Sequence, residues 1–77
     1  MNKQRRKELD RIHTLLLEAS EALEMVAEEE QEAFDNLPEG LQQSDRGQEM
    51  EETAANLQEL ADTLSDIVGE LWEVVEQ

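Results

Sequence analysis

The chain has no cysteine and no tyrosine, one proline (Pro38), one histidine (His13) and two aromatic residues, Phe34 and Trp72. Without cysteine there is no disulfide framework and no thiolate to act as ligand or nucleophile. Bases are scarce as well. Six Lys and Arg face 21 Asp and Glu, for a net charge of −15 over 77 residues. No apolar run approaches the ~20 residues of a membrane-spanning helix. The basic start (Lys3, Arg5, Arg6, Lys7) runs into Glu8 and Asp10, not into an apolar segment, so no secretory signal is expected. The expected compartment is the cytoplasm, with no membrane contact. At this length there is room for one small domain, residues 1–77, and a monomer buries only ~60% of its unfolded surface.

The same inventory removes most chemistry. Ser20, Ser44 and Ser65 have no base beside them at helical spacing. Asp10-Arg11-Ile12-His13 occurs once, whereas a di-iron bundle needs paired Glu-x-x-His motifs. A calcium loop begun at Asp35 would place Leu37 and Arg46 at ligand positions, which removes two oxygens. The run Glu28-Glu29-Glu30-Gln31-Glu32 fans around a helix axis and reads as a solvated face. There is no glycine-rich phosphate loop. The chain is therefore read as non-enzymatic, with no catalytic residue, no metal site and no cofactor.

Scarce aromatics and high charge suggest disorder, but the apolar periodicity contradicts it. With Leu9 at heptad position a, Leu9, Ile12, Leu16, Ala19, Leu23 and Val26 alternate at spacings of 3 and 4, a helical core stripe. Glu30 interrupts its extension to Ala33 and Leu37. An ideal helix slips against a strict seven-residue repeat, so Ala27 and Phe34 are expected to take over the buried face there and leave Glu30 at its edge. In the second half Met50, Ala54, Leu57, Ala61, Leu64, Val68, Leu71 and Val75 repeat the pattern unbroken. Leu15, Ala22, Leu60, Ile67 and Val74 add position g.

Between the stripes, Pro38 disfavours helix at Leu37, Gly40 tolerates positive φ, and Ser44 or Asp45 can cap a second helix, with Gln48 completing a box after Asp45. The expected fold is all-α: an antiparallel hairpin of two long helices, about 3–36 and 45–76, joined by a turn at 37–44. Residues 1–11 carry five bases and two acids, and residues 12–77 one base and nineteen acids. A hairpin sets the basic start beside Glu70, Glu73 and Glu76, which offsets cations at a helix N-terminus. A lone hairpin cannot cover an a/d/g face, so a homodimeric four-helix bundle is expected. Its core would be Leu9, Ile12, Leu16, Leu23, Val26, Leu57, Leu64, Val68, Leu71 and Val75.

Position f, opposite the core, carries Glu21, Glu28 and Asp35, then Glu52, Glu59, Asp66 and Glu73. A structural hairpin usually interleaves Lys for i, i+4 pairs, yet the second helix has no Lys. Two readings stand: a solubilising face, or a row of carboxylates imitating nucleic-acid phosphates on a partner's basic surface. Direct nucleic-acid binding is disfavoured for so acidic a chain, apart from the Lys3–Arg11 cluster. Phe34 and Trp72 lie off the stripe and are candidate apolar hot spots.

The stretch Phe34-Asp35-Asn36-Leu37-Pro38-Glu39-Gly40-Leu41-Gln42, followed by Ser44, Arg46-Gly47 and Met50, resembles the hairpin turn of small acidic helical proteins from bacteriophages, prophages and mobile elements. The basic start leading into Glu8-Leu9-Asp10 is similar too. The resemblance carries no assigned activity and no site residue. It implies a phage-related origin only, which places the expected cytoplasm in a bacterial host cell. The expected function is a protein-binding module that inhibits a bacterial defence or DNA-processing protein by occupying its nucleic-acid surface. The alternative is a scaffold or morphogenesis chaperone acting through helical packing.

Overall fold

The computed structural model describes all residues, Met1–Gln77. Helix α1 spans Lys3–Asp35, the one-turn helix α2 spans Glu39–Gln42, and α3 spans Asp45–Glu76. Helices α1 and α3 pack along their whole length into a rod measuring 59 × 14 × 13 Å over Cα atoms. The all-helical hairpin and both long-helix boundaries agree with the sequence expectation.

Each long helix starts with a side-chain cap. Asn2 Oδ1 accepts the Arg5 N–H at 2.8 Å, and Ser44 Oγ accepts the Gly47 N–H at 3.2 Å, satisfying donors that have no intrahelical partner. Ser44 thus takes the cap and Asp45 becomes the first residue of α3. Gln48 donates from Nε2 to the Gln42 carbonyl instead of closing a box with Asp45. The connection is more ordered than a simple turn. No glycine has positive φ, and Gly40 lies inside α2. Gln42 holds the corner, its Nε2 donating to the carbonyls of Phe34 (3.2 Å), Asp35 (3.3 Å) and Leu37 (3.1 Å). The end of α1 leaves such carbonyls without helical partners. Gly47 is required here, because a Cβ would collide with the backbone of Leu41 and Gln42.

The seam on α3 is the expected one: Ala54, Ala61, Val68 and Val75 are buried, and Met50, Leu57, Leu64 and Leu71 are half-buried. On α1 the hairpin seam is rotated. Leu9, His13, Leu16, Ser20, Leu23, Ala27, Glu30 and Phe34 point inward, while Ile12 and Val26 are exposed. The reason is close approach. The two-stranded seam takes small residues (Ser20 and Ala27 on α1, Ala54 and Ala61 on α3), which bring the helices together. The larger Ile12 and Val26 stay on the flank. Ala27 and Phe34 carry the seam past Glu30, as helical drift requires. Phe34, a candidate surface hot spot in the sequence, is buried at 8% exposure and belongs to the seam.

At the open end, Arg6 Nη2 donates to the Gln77 carbonyl at 2.8 Å. The basic start therefore meets the end of α3, but through a backbone oxygen, and no ion pair forms with Glu70, Glu73 or Glu76. Arg11 and Glu8, at 2.8 Å within α1, form the sole ion pair in the chain.

Candidate functional site

The two flanks of the rod differ in chemistry, and helix geometry explains how. One residue of helix is a rotation of about 100°. In an antiparallel pair, a step in the same sequence direction from each seam turns both helices toward the same flank. The residues preceding the seam are Ile12, Ala19, Val26 and Ala33 on α1, and Thr53, Leu60, Ile67 and Val74 on α3. They form one flank, which is apolar except at Thr53. The residues following it are Thr14, Glu21, Glu28 and Asp35 on α1, and Ala55, Asp62, Gly69 and Glu76 on α3. They form the other flank, whose charged residues are all acidic.

On the acidic flank lies a groove of about 580 Å³ lined by both long helices. Its floor is Ala27 and Ala54, each 2% exposed. Its walls carry five carboxylates: Glu28, Glu32 and Asp35 from α1, Glu59 and Asp62 from α3. Gln31 Nε2 donates to Asp35 Oδ1 at 3.0 Å, and Gln58 Nε2 donates to Asp62 Oδ1 at 3.1 Å. These amides steady two of the carboxylates, and no side-chain cation pairs with any of the five.

All seven sequence-derived acidic candidates are exposed. The structure brings Glu28, Asp35 and Glu59 together in the groove. Because the α1 seam is rotated, Glu21 lies on that same flank, about two helical turns further from the connection than Glu28. Glu52, Asp66 and Glu73 stay on the outer face of α3 and do not line the groove. Glu32, Asp62, Gln31 and Gln58 are groove residues that heptad labelling alone does not single out. A signal for them exists: Ala-x-x-x-Gln-Glu-x-x-Asp occurs at residues 27–35 and again at 54–62. On antiparallel helices the two copies are related by an approximate two-fold at Ala27 and Ala54.

Trp72 is 41% exposed. Its ring packs at a tilt against His13 across the hairpin, centroids 4.8 Å apart, which anchors it at the edge of the seam while one side stays open. At the open end Lys3, Arg6, Lys7, Asp10 and Val75 line a small basic cleft. No three His, Asp or Glu side chains converge in a metal-binding group. No helix is long and apolar enough to cross a membrane. No family model, curated protein or solved structure matches this chain.

Proposed function

We propose that the protein is a non-enzymatic binding module of phage or mobile-element origin. It acts as a homodimer in the bacterial host cytoplasm, and its acidic flank occupies a basic, nucleic-acid-binding surface of a defence or DNA-processing protein. The observation that carries this reading is the groove of five unpaired carboxylates on a rigid two-helix frame. Carboxylates without countercharges repel one another and cost the fold stability. A partner supplying Lys and Arg relieves that cost, and opposed fields also accelerate the encounter.

The test is capture of host proteins on the immobilised chain, with elution by duplex DNA. A partner displaced by DNA and by rising salt supports the reading, since exposed charge contacts are screened within about 10 Å at 0.1 M salt. A partner that DNA does not displace counts against it.

The apolar flank favours a second reading, an assembly protein that works through helical packing. Leu15 is 51% exposed and Leu60 58%, and a row of such residues marks an interaction surface. Contacts of that kind resist salt, so the same elution separates the two readings.

A further inference from the structure

The apolar flank has a definite extent. On α1 it runs Ile12, Leu15, Ala19, Ala22, Val26, and on α3 it runs Leu60, Leu64, Ile67, Leu71, Val74, with Leu64 and Leu71 half-buried and the rest exposed. Ala27 and Ala54 share the groove floor, which sets Ala19 about level with Asp62, near the middle of both long helices. The α1 stretch centres there, and the α3 stretch centres at Ile67, about five residues nearer the open end. A second rod laid along this patch covers it.

The chain presents 5869 Å² of accessible surface, against about 4,800 Å² for a compact monomer of this mass, so the rod as a whole exposes about 1,100 Å² more than a globule would, and the exposed apolar side chains of that surface include Ile12, Leu15, Val26, Leu60, Ile67 and Val74.

Charge then selects the orientation. The rod divides at Ala19 and Asp62 into an open half, residues 1–19 and 62–77, and a turn half, residues 20–61. The open half has five bases and eight acids, net −3, and the turn half has one base and thirteen acids, net −12. Two hairpins can cover each other's apolar flank with their turns at the same end or at opposite ends. Turns at the same end set −12 beside −12. Turns at opposite ends set each −12 half beside a −3 half carrying Lys3, Arg5, Arg6, Lys7 and Arg11.

We infer that the apolar flank is covered by a second copy of this chain, with the two turns at opposite ends of a four-helix bundle and the two-fold near the middle of the rod. The inference rests on the homodimer part of the proposed function and fixes its topology. The acidic grooves then face outward on opposite sides, so one dimer binds two partner molecules.

The test uses the full chain carrying Gly40→Cys with a spin label. Nothing lies within 4 Å of a Cβ at Gly40, and the chain has no other cysteine. Sedimentation equilibrium gives the mass, and dipolar spectroscopy gives the distance between labels. A dimer with labels separated by about the 59 Å rod length is the expected result. A dimer with labels within about 20 Å, two helix spacings, overturns the topology and leaves the homodimer standing. A monomer at micromolar concentration overturns both. Neither readout depends on the external partner, so a failure of the inhibitor reading stays separate.

Discussion

His13 and Trp72 meet across the hairpin with ring centroids 4.8 Å apart and planes inclined at 43°. The pair joins the early part of α1 to the late part of α3, so it forms only when the helices are docked. Trp72 is the single tryptophan, and its fluorescence reports that docking. His13→Ala is expected to lower unfolding stability by about 1 kcal/mol, the scale of an aromatic pair. His13→Phe should restore most of that loss. Urea melts followed by Trp72 emission check both, and an unchanged midpoint in His13→Ala would show the contact to be energetically idle.

The corner at Gln42 is the second point of control. One amide group serves three carbonyls at the end of α1. Gln42→Ala is expected to cost ~1–2 kcal/mol, because three acceptors are left without this donor. Gln42→Glu should cost more, because a carboxylate faces the same carbonyls and adds charge to the acidic half of the rod. Ser44→Ala should cost about 1 kcal/mol through removal of the cap, whereas Asp45→Ala, which caps nothing, should cost less. Thermal melts of these four single variants rank them.

Glycine tests separate space from conformation. Gly47 has no room for a Cβ, while Gly69 sits mid-helix in open space. Gly47→Ala is expected to destabilise by ~1–3 kcal/mol, as overpacking does. Gly69→Ala should stabilise by up to ~1 kcal/mol from helix propensity. Opposite signs for one chemical change, read by circular dichroism melts, would confirm that α2 packs tightly on the start of α3.

How far the sequence revealed this molecule depends on which seam is asked about. The α3 seam was legible because Met50 through Val75 keep one phase without a break. On α1 the widest apolar arc includes Ile12 and Val26, and periodicity follows hydrophobicity. The hairpin instead selects Ser20 and Ala27, whose small side chains let the helices approach, and turns Ile12 and Val26 to the flank. Phe34 lies in the seam, as helical drift past Glu30 requires, and not on the surface as a hot spot. In the connection, Pro38 marked the end of α1, but the reach of the Gln42 side chain to three carbonyls depends on tertiary geometry. In the groove, the individual carboxylates were visible as an acidic face. Their convergence across two helices followed from the register, for which the repeated Ala-x-x-x-Gln-Glu-x-x-Asp pattern is the sequence trace.

Salt should stabilise this protein. Thirteen acids and one base share the turn half, and the single ion pair in the chain lies in the open half. Raising salt from about 0.1 M to about 1 M shortens the Debye length from about 10 Å to about 3 Å and screens that repulsion. The melting temperature is expected to rise by several degrees with sodium chloride, a weakly interacting salt. A fall would mean that favourable charge pairs dominate. Glu28→Gln, Asp35→Asn and Glu59→Gln combined should raise the low-salt stability and flatten the salt dependence.

The same three positions decide whether the groove is a working surface. Glu28, Asp35 and Glu59 line it, whereas Glu52, Asp66 and Glu73 lie on the outer face of α3. Reversal to Lys at the three groove positions changes the net charge by as much as reversal at the three outer ones. A purely long-range effect of total charge would therefore weaken partner capture equally in both variants. Recognition by the groove predicts abolished capture in the first and retention, with weaker salt dependence, in the second. Removing one member of a desolvated charge pair at an interface costs roughly 2–5 kcal/mol, so the groove variant should bind at least a hundredfold more weakly in a titration against the captured partner. Equal, small reductions in both variants would reduce the acidic flank to a solvated surface and leave the apolar flank as the functional one.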